Sequence, residues 1–390
     1  MKKTFDEVVL FARTGLNPRQ NFKLGQGKNK YITIKNIKNN TLVVDDNTDV
    51  VDDDAIKLIH KRSQIKKGDI LFASIGRMGD MYIIEKEPVG WDINESVFAF
   101  TLNTNIVRQK YFYYIFKVKS TLDYLASNSS GSTFKSIKMN QLKRMVFDIP
   151  SLKEQDSIIT ILDKVCNVIE MRKRELGSLD ELIKARFVEL FGDPIKNPKG
   201  WEVVTIGDIV TEVRYGTSKP AVEGGKYPYL RMNNLTVDGH LDLKDLKYID
   251  IPDDEMEKCV VRKGDVLFNR TNSIELVGKT AVFDLPEDMV IAGYIIRVRL
   301  NERLLPEIFS QYMNLEALKD ILRAMAKGAV NQANINAQEL QSIKVYVPDM
   351  EVQKQFIKMK EQVDKSKVAI QAALDKSQLL FDSLMQKYFG

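Results

Sequence analysis

The chain of 390 residues has only two cysteines, Cys166 and Cys259, and two histidines, His60 and His240. Neither cysteine has a Cys or His neighbour at metal-ligand spacing. That excludes a zinc knuckle or a disulfide scaffold and points to structural thiols in a cytoplasmic setting. Two histidines in unrelated contexts leave no His-based acid–base pair and no His metal site. No apolar run approaches the roughly 20 residues that span a bilayer. The start, Met-Lys-Lys-Thr-Phe-Asp-Glu, has acids where a signal peptide needs an apolar stretch.

Nucleotide and cofactor fingerprints are missing as well. Gly25-Gln-Gly27 lacks the third glycine of a dinucleotide loop, and Val277-Gly-Lys-Thr280 imitates the end of a P-loop with Ser273 where the first glycine belongs. Asp193-Pro194 and Asn197-Pro198 lack the second proline and the aromatic of an amino-group DNA methyltransferase. The acid clusters Asp45-Asp46, Asp52-Asp53-Asp54 and Asp253-Asp254-Glu255 read as solvated loops. No catalytic residue, metal or cofactor is expected.

What is present is a long-period duplication. Leu162, Ile169, Leu176, Ile183 and Leu190 recur every seventh position, with Ile158, Val165 and Leu179 on a companion line broken at Arg172 and Arg186. Near 198 residues later the pattern returns as Phe356, Val363, Ile370 and Leu384 on one line. Leu374, Phe381 and Tyr388 form the other, with breaks at Lys360, Lys367 and Ser377. A 3.5-residue apolar repeat predicts two long helices that pack on each other. About 40 residues each would extend ~60 Å, against the ~10–14 residues of an ordinary helix. Pro150 with Gln155 and Pro348 with Gln353 introduce the two stretches, and both close on Phe-Gly.

The segments between them repeat too. Lys67-Gly-Asp-Ile-Leu-Phe72 matches Lys263-Gly-Asp-Val-Leu-Phe268, and Tyr31-Ile-Thr-Ile-Lys-Asn-Ile37 matches Tyr229-Leu-Arg-Met-Asn-Asn-Leu235. Short strands are predicted at 31–37, 69–75, 81–85, 95–102 and 144–149, and helices near 110–126 and 306–326. Formal charge is uneven, +8 over residues 1–150 and −4 over 193–349. A basic face attracts polyanions without regard to sequence, so the first segment favours nucleic acid more than the second.

The linker Phe191-Gly-Asp-Pro…Asn-Pro-Lys-Gly-Trp201, the duplicated Lys-Gly-Asp-Ile/Val-Leu-Phe and the proline leading into each long helix together resemble type I restriction-modification specificity subunits, over the whole chain. The fold class this implies is α+β: two pseudo-repeated, β-rich target-recognition domains joined by two long helices packing as an antiparallel coiled coil. The domains are placed at 1–151 and 193–349, and the spacer helices at 152–192 and 350–390. The resemblance implies a non-catalytic, cytoplasmic subunit that reads a split site on double-stranded DNA. It also implies two methyltransferase subunits docked on the helices, restriction/translocase subunits joining that assembly, and no membrane. The chain departs from the family pattern at Val352, which stands where Pro150-Ser-Leu-Lys-Glu-Gln155 has its acid. It begins almost at the first recognition domain, which leaves a minimal preceding segment.

Readout is expected from loops on the scaffold, with Arg suited to guanine and Asn or Gln to adenine. The candidates are Lys35 and Asn36, matched by Arg231, Asn233 and Asn234; Arg77, matched by Asn269, Arg270 and Asn272; and Ser132, Thr133 and Lys135, matched by Asn331, Gln332 and Asn334. Arg214 completes the set. Val188, Met359 and Leu380 are candidates for partner docking. Two other readings stay open: a protein-interaction scaffold with two β-rich binding domains, and a single-chain methyltransferase, which the missing motifs oppose.

Overall fold

The Lys-Gly-Asp turns show why the duplicated segment folds as it does. Gly68 and Gly264 take φ of +88° and +95°, a conformation an L side chain adopts at a cost. The aspartate that follows is buried in both cases. Asp69 accepts from the backbone N–H of Lys66 at 3.1 Å and pairs with Arg13 at 2.8 Å. Asp265 accepts from that of Arg262 at 2.9 Å and pairs with Arg299 at 2.8 Å. Each turn then feeds a fully buried strand, Ile70–Ala73 or Val266–Asn269.

The computed structural model describes all residues except 39–40, 132–134 and 330–331, with backbone only for Lys327–Ala329. It divides into two compact units, Met1–Arg172 with Ala373–Gly390, and Lys173–Ala372. In the first unit an antiparallel sheet runs in the order Val9–Thr14, Val97–Leu102, Ile70–Ala73, Met81–Ile83. A second sheet sets Asn29–Ile32 between Val50–Val51 and Trp91–Ile93, parallel to the latter. Lys2–Thr4 pairs with Val146–Asp148. Phe5, Phe72, Phe100, Phe112, Phe116 and Phe147 fill the core against the helices that follow Val97–Leu102.

The second unit has the same plan. Its four strands run Val210–Tyr215, Ile295–Leu300, Val266–Asn269, Thr280–Val282. Tyr227–Leu230 again lies parallel to Met289–Ile291, and Glu202–Thr205 pairs with Lys344–Val347.

Two sequence expectations need correction. Each long helical patch is two helices, Gln109–Ile115 with Lys119–Ser127, and Pro306–Met313 with Glu316–Met325. The breaks fall at Phe116 and Leu315, buried residues that turn the chain back into the core. Two of the three acid clusters are helix starts and not loops. Asp52 caps Asp53–Ser63 by accepting from the N–H groups of Asp54 and Ala55, and Asp253, Asp254 and Glu255 form the first turn of Asp253–Cys259. Carboxylates there offset the unpaired N–H groups and the helix dipole.

The long helices are Leu152–Phe191 and Met350–Phe389, 40 residues each. Within the first unit Leu162 is buried with Met385, beside Phe381, Leu384 and Phe389. Within the second, Phe187 and Phe191 meet Phe356 with ring centroids 5.2 and 5.6 Å apart. The early part of one helix thus packs on the late part of the other at both ends, which makes the pair antiparallel. Leu162, Ile169, Ile183, Phe356 and Val363 are buried. Ile158, Val165, Leu176, Leu179, Leu190, Ile370, Leu374, Phe381 and Leu384 are half-buried. Phe187 and Met385, off the counted lines, are buried as well.

Candidate nucleic-acid interface

In the first unit three loops distant in sequence meet. Lys35 is exposed in the turn after Asn29–Ile32. Arg77 donates to the Ile37 carbonyl at 3.2 Å and lies 3.7 Å from Asp80. The Gly76 N–H donates to the Lys135 carbonyl at 3.0 Å, and Ile75 bridges Ser136. Lys35, Arg77 and Lys135 therefore share one loop cluster with exposed cationic ends. Ser132 and Thr133 lie outside the described residues.

In the second unit Thr271–Asn272 pairs with Gln332–Asn334, and the Thr271 hydroxyl donates to the Asn334 amide oxygen at 2.9 Å. This joins Arg270 and Asn272 to Gln332 and Asn334. Gln332 and Asn233 face solvent, and Asn331 lies outside the described residues. Arg231 is held by Asp245 at 2.8 Å and Arg214 by Glu212 at 3.1 Å.

Four of the candidate asparagines are spent inside the fold, Asn272 among them, since its amide donates to Asn269 at 2.7 Å and its oxygen accepts from the Ser273 N–H at 2.9 Å. Asn36 accepts from the Thr33 N–H at 2.9 Å and donates to the Val43 carbonyl at 3.0 Å. Asn234, its counterpart, accepts from the Arg231 N–H and donates to the Asp242 carbonyl, both at 2.8 Å, and is buried. Asn269 is fully buried, donating to the Thr271 and Tyr294 carbonyls at 3.1 Å and accepting from the Asn272 amide at 2.7 Å. These amides shape loops and are not available to a base edge, a correction to the sequence expectation.

Sequence reasoning overlooked two aromatics and a lysine here. Tyr215 and Tyr294 are 43% and 50% exposed at the same strand ends, where apolar rings normally hide. Each adjoins a glycine, Gly216 or Gly293, and an aromatic beside a glycine at a strand end was the available signal. Lys279, set aside as a P-loop imitation, is buried and donates to the carbonyls of Met232 and Leu235 at 2.7 and 2.5 Å, pinning the Arg231–Leu235 loop. Desolvation lowers its pKa. Gly278 beside it takes a φ of +81°, a conformation an L side chain adopts at a cost.

Among the docking candidates Val188 and Leu380 are 43% and 52% exposed, while Met359 is half-buried against the core of the second unit. Among the described residues no group of His, Cys, Asp and Glu has metal-site geometry, and no helix is long and apolar enough to cross a membrane.

The whole chain superposes on the type I restriction-modification S subunit from M. genitalium with a TM-score of 0.56 at 17% identity, covering 100% of this chain and 96% of that one. A second chain, from a structure describing complex assembly and conformational transition of a type I R-M system, gives 0.60 at 18% identity, with 100% and 97% covered. In sequence the chain is 24% identical over 285 residues to the type I restriction enzyme EcoKI specificity subunit of Escherichia coli strain K12. That match covers 68% of this chain and 61% of that protein, less than two thirds of the relative's length. The type I restriction modification DNA specificity domain profile matches twice, over residues 1–180 and 198–377, and the chain belongs to that family.

Proposed function

We propose that the chain is the sequence-reading subunit of a type I restriction-modification complex. Recognition domains at 1–151 and 193–349 each take one half of a split double-stranded DNA site. Spacer segments 152–192 and 350–390 set the gap between half-sites and dock two methyltransferase subunits, which restriction/translocase subunits join. Exposed Lys35, Arg77 and Lys135 serve the first half-site, and Asn233, Arg270 and Gln332 the second. Phosphate contacts position such a protein and base contacts specify the site. The chain itself supplies recognition and no catalysis.

The observation that carries this reading is the recurrence of one sheet plan in both units, with the loop after its Lys-Gly-Asp strand bonded to the later glycine-bearing loop in each. The test is co-purification with the candidate methyltransferase subunit, followed by mapping of adenine methylation on DNA exposed to the complex. A methylated motif of two short blocks around a fixed gap is expected, with binding that falls steeply with salt. A stable complex without a bipartite motif would leave a docking scaffold. No association would sink the proposal.

A further inference from the structure

Arginines in the second globular segment are almost all neutralised by carboxylates. Arg214, Arg231, Arg262, Arg297, Arg299, Arg303 and Arg323 each lie within salt-bridge reach of an Asp or Glu. Arg270 is the exception among the described residues. Its guanidinium carbon sits 4.9 Å from the centroid of the Tyr215 ring, and its acceptor among the described residues is the Gly293 carbonyl at a long 3.5 Å. Its Nε, like those of Arg231 and Arg297, is buried with no hydrogen-bond partner among the described residues. The ring beneath it is itself fixed, because the Ala337 N–H donates to the Tyr215 hydroxyl at 2.8 Å.

Leaving a guanidinium without an anion at a half-buried position is costly unless something outside the chain completes it. The backbone on either side is held firmly. The Arg270 N–H donates to the Tyr294 carbonyl at 3.0 Å, and the Arg270 carbonyl accepts from Ile335 at 2.9 Å. Tyr294, whose carbonyl takes that bond, is half exposed. A planar donor fork held over an aromatic ring, with no carboxylate pairing it among the described residues, matches the paired acceptors O6 and N7 of guanine in the major groove.

We infer that Arg270, shelved on Tyr215, reads a guanine in the half-site taken by the second recognition domain, with Tyr215 as its positioning residue. This rests on the proposed function and narrows it to one base at one contact. Among the described residues the first unit has no matching device. Thr14 occupies the place of Tyr215 in the sheet, opposite Phe98 as Tyr215 is opposite Ile296, so the requirement belongs to one half-site alone.

The experiment uses the full chain in complex with its methyltransferase subunit and reads the methylated motif across random-sequence DNA. The wild-type complex is expected to require a G·C pair at one position of one block. Arg270→Ala relaxes that position to all four bases, lowers methylation of the original site about 10- to 100-fold, and leaves every base of the other block unchanged. The unchanged block also certifies that the variant folds and assembles. Tyr215→Leu relaxes the same position partly, and Tyr215→Phe, which keeps the ring, restores the preference. Replacing that guanine by 7-deazaguanine weakens the wild type and not Arg270→Ala.

An Arg270→Ala motif identical to that of the wild type overturns the inference. So does equal weakening on all sequences, which marks a phosphate contact. A wild-type complex with no bipartite motif overturns the functional reading itself and the inference with it.

Discussion

Gln155 and Gln353, 198 positions apart, make the same three hydrogen bonds in the two halves of the chain. Gln155 accepts from the Arg108 N–H at 2.8 Å and donates to the carbonyls of Ile106 and Pro150 at 2.8 and 2.9 Å. Gln353 accepts from the Leu305 N–H at 2.9 Å and donates to those of Arg303 and Pro348 at 3.0 and 2.8 Å. Both side chains are fully buried. Each latches the first turn of a long helix to the loop in front of the short helices. Gln155→Leu and Gln353→Leu should each cost about 1–3 kcal/mol, since three backbone groups lose their buried partner. Urea unfolding checks this, and hydrogen exchange should place the loss in the unit that carries the change.

The departure at Val352 has a visible consequence. Glu154 accepts from the Ser151 N–H and hydroxyl at 2.9 and 2.6 Å, a capping arrangement that also holds its carboxyl below the usual range. Val352 makes none of these bonds and packs against the core instead. Glu154→Val should therefore weaken the start of the first helix and lower its melting temperature, while Val352→Glu adds little. Thermal unfolding of the two variants checks the asymmetry.

Phe356 is fully buried between Phe187 and Phe191. Truncation to alanine should cost about 3–5 kcal/mol, through lost burial and the cavity it leaves. Val368→Ala on the same helix removes a side chain that is 70% exposed and should stay within about 0.5 kcal/mol of the wild type. Chemical denaturation of both variants separates a packed seam from a merely amphipathic helix.

Lys367, read as a break in the heptad line, reaches across to Asp180 on the other helix at 2.6 Å. The pair is partly exposed, so its coupling in a double-mutant cycle should be about 0.2–1 kcal/mol and should shrink with salt. Lys367→Asp alone brings two carboxylates together and destabilises. Adding Asp180→Lys should recover most of the loss. Failure to recover would mean that the two positions are not in register.

Burial pushes the Lys319 ammonium down to about 7, with repulsion from Arg323 and Lys279 adding to the effect and Glu316 opposing it. Its nitrogen donates to the Gly278 carbonyl and the Asn314 amide oxygen, which a neutral amine still can. The folded value lies below the unfolded one of about 10.4, so unfolding takes up a proton between those limits. The penalty for the buried charge is in full force below about pH 7 and is relieved as pH rises toward about 10. Urea titrations should show that rise in the wild type and a flatter profile in Lys319→Met.

The long helices were legible because their signal is local. An apolar residue every 3.5 positions forces one face of a helix to be covered, and Leu162, Ile169, Ile183, Phe356 and Val363 are buried accordingly. Lys-Gly-Asp was legible for a similar reason, since the left-handed glycine and the buried acid act within four residues of each other. Asp52 and Asp253 misled because an acid run in a loop and one at a helix start read alike until the following turn is seen to pack.

The sequence by itself determined the duplication and the two long helices. Only the tertiary structure decided which polar residues are free. Asn36, Asn234 and Asn269 look like reading groups in sequence, yet their amides are consumed by partners up to 25 residues away. Arg270 looks like any other arginine until Tyr215, 55 positions earlier, is found beneath it with no carboxylate paired to it among the described residues. A side chain's type is written locally, but whether its hydrogen bonds are already spent depends on what the fold brings to it.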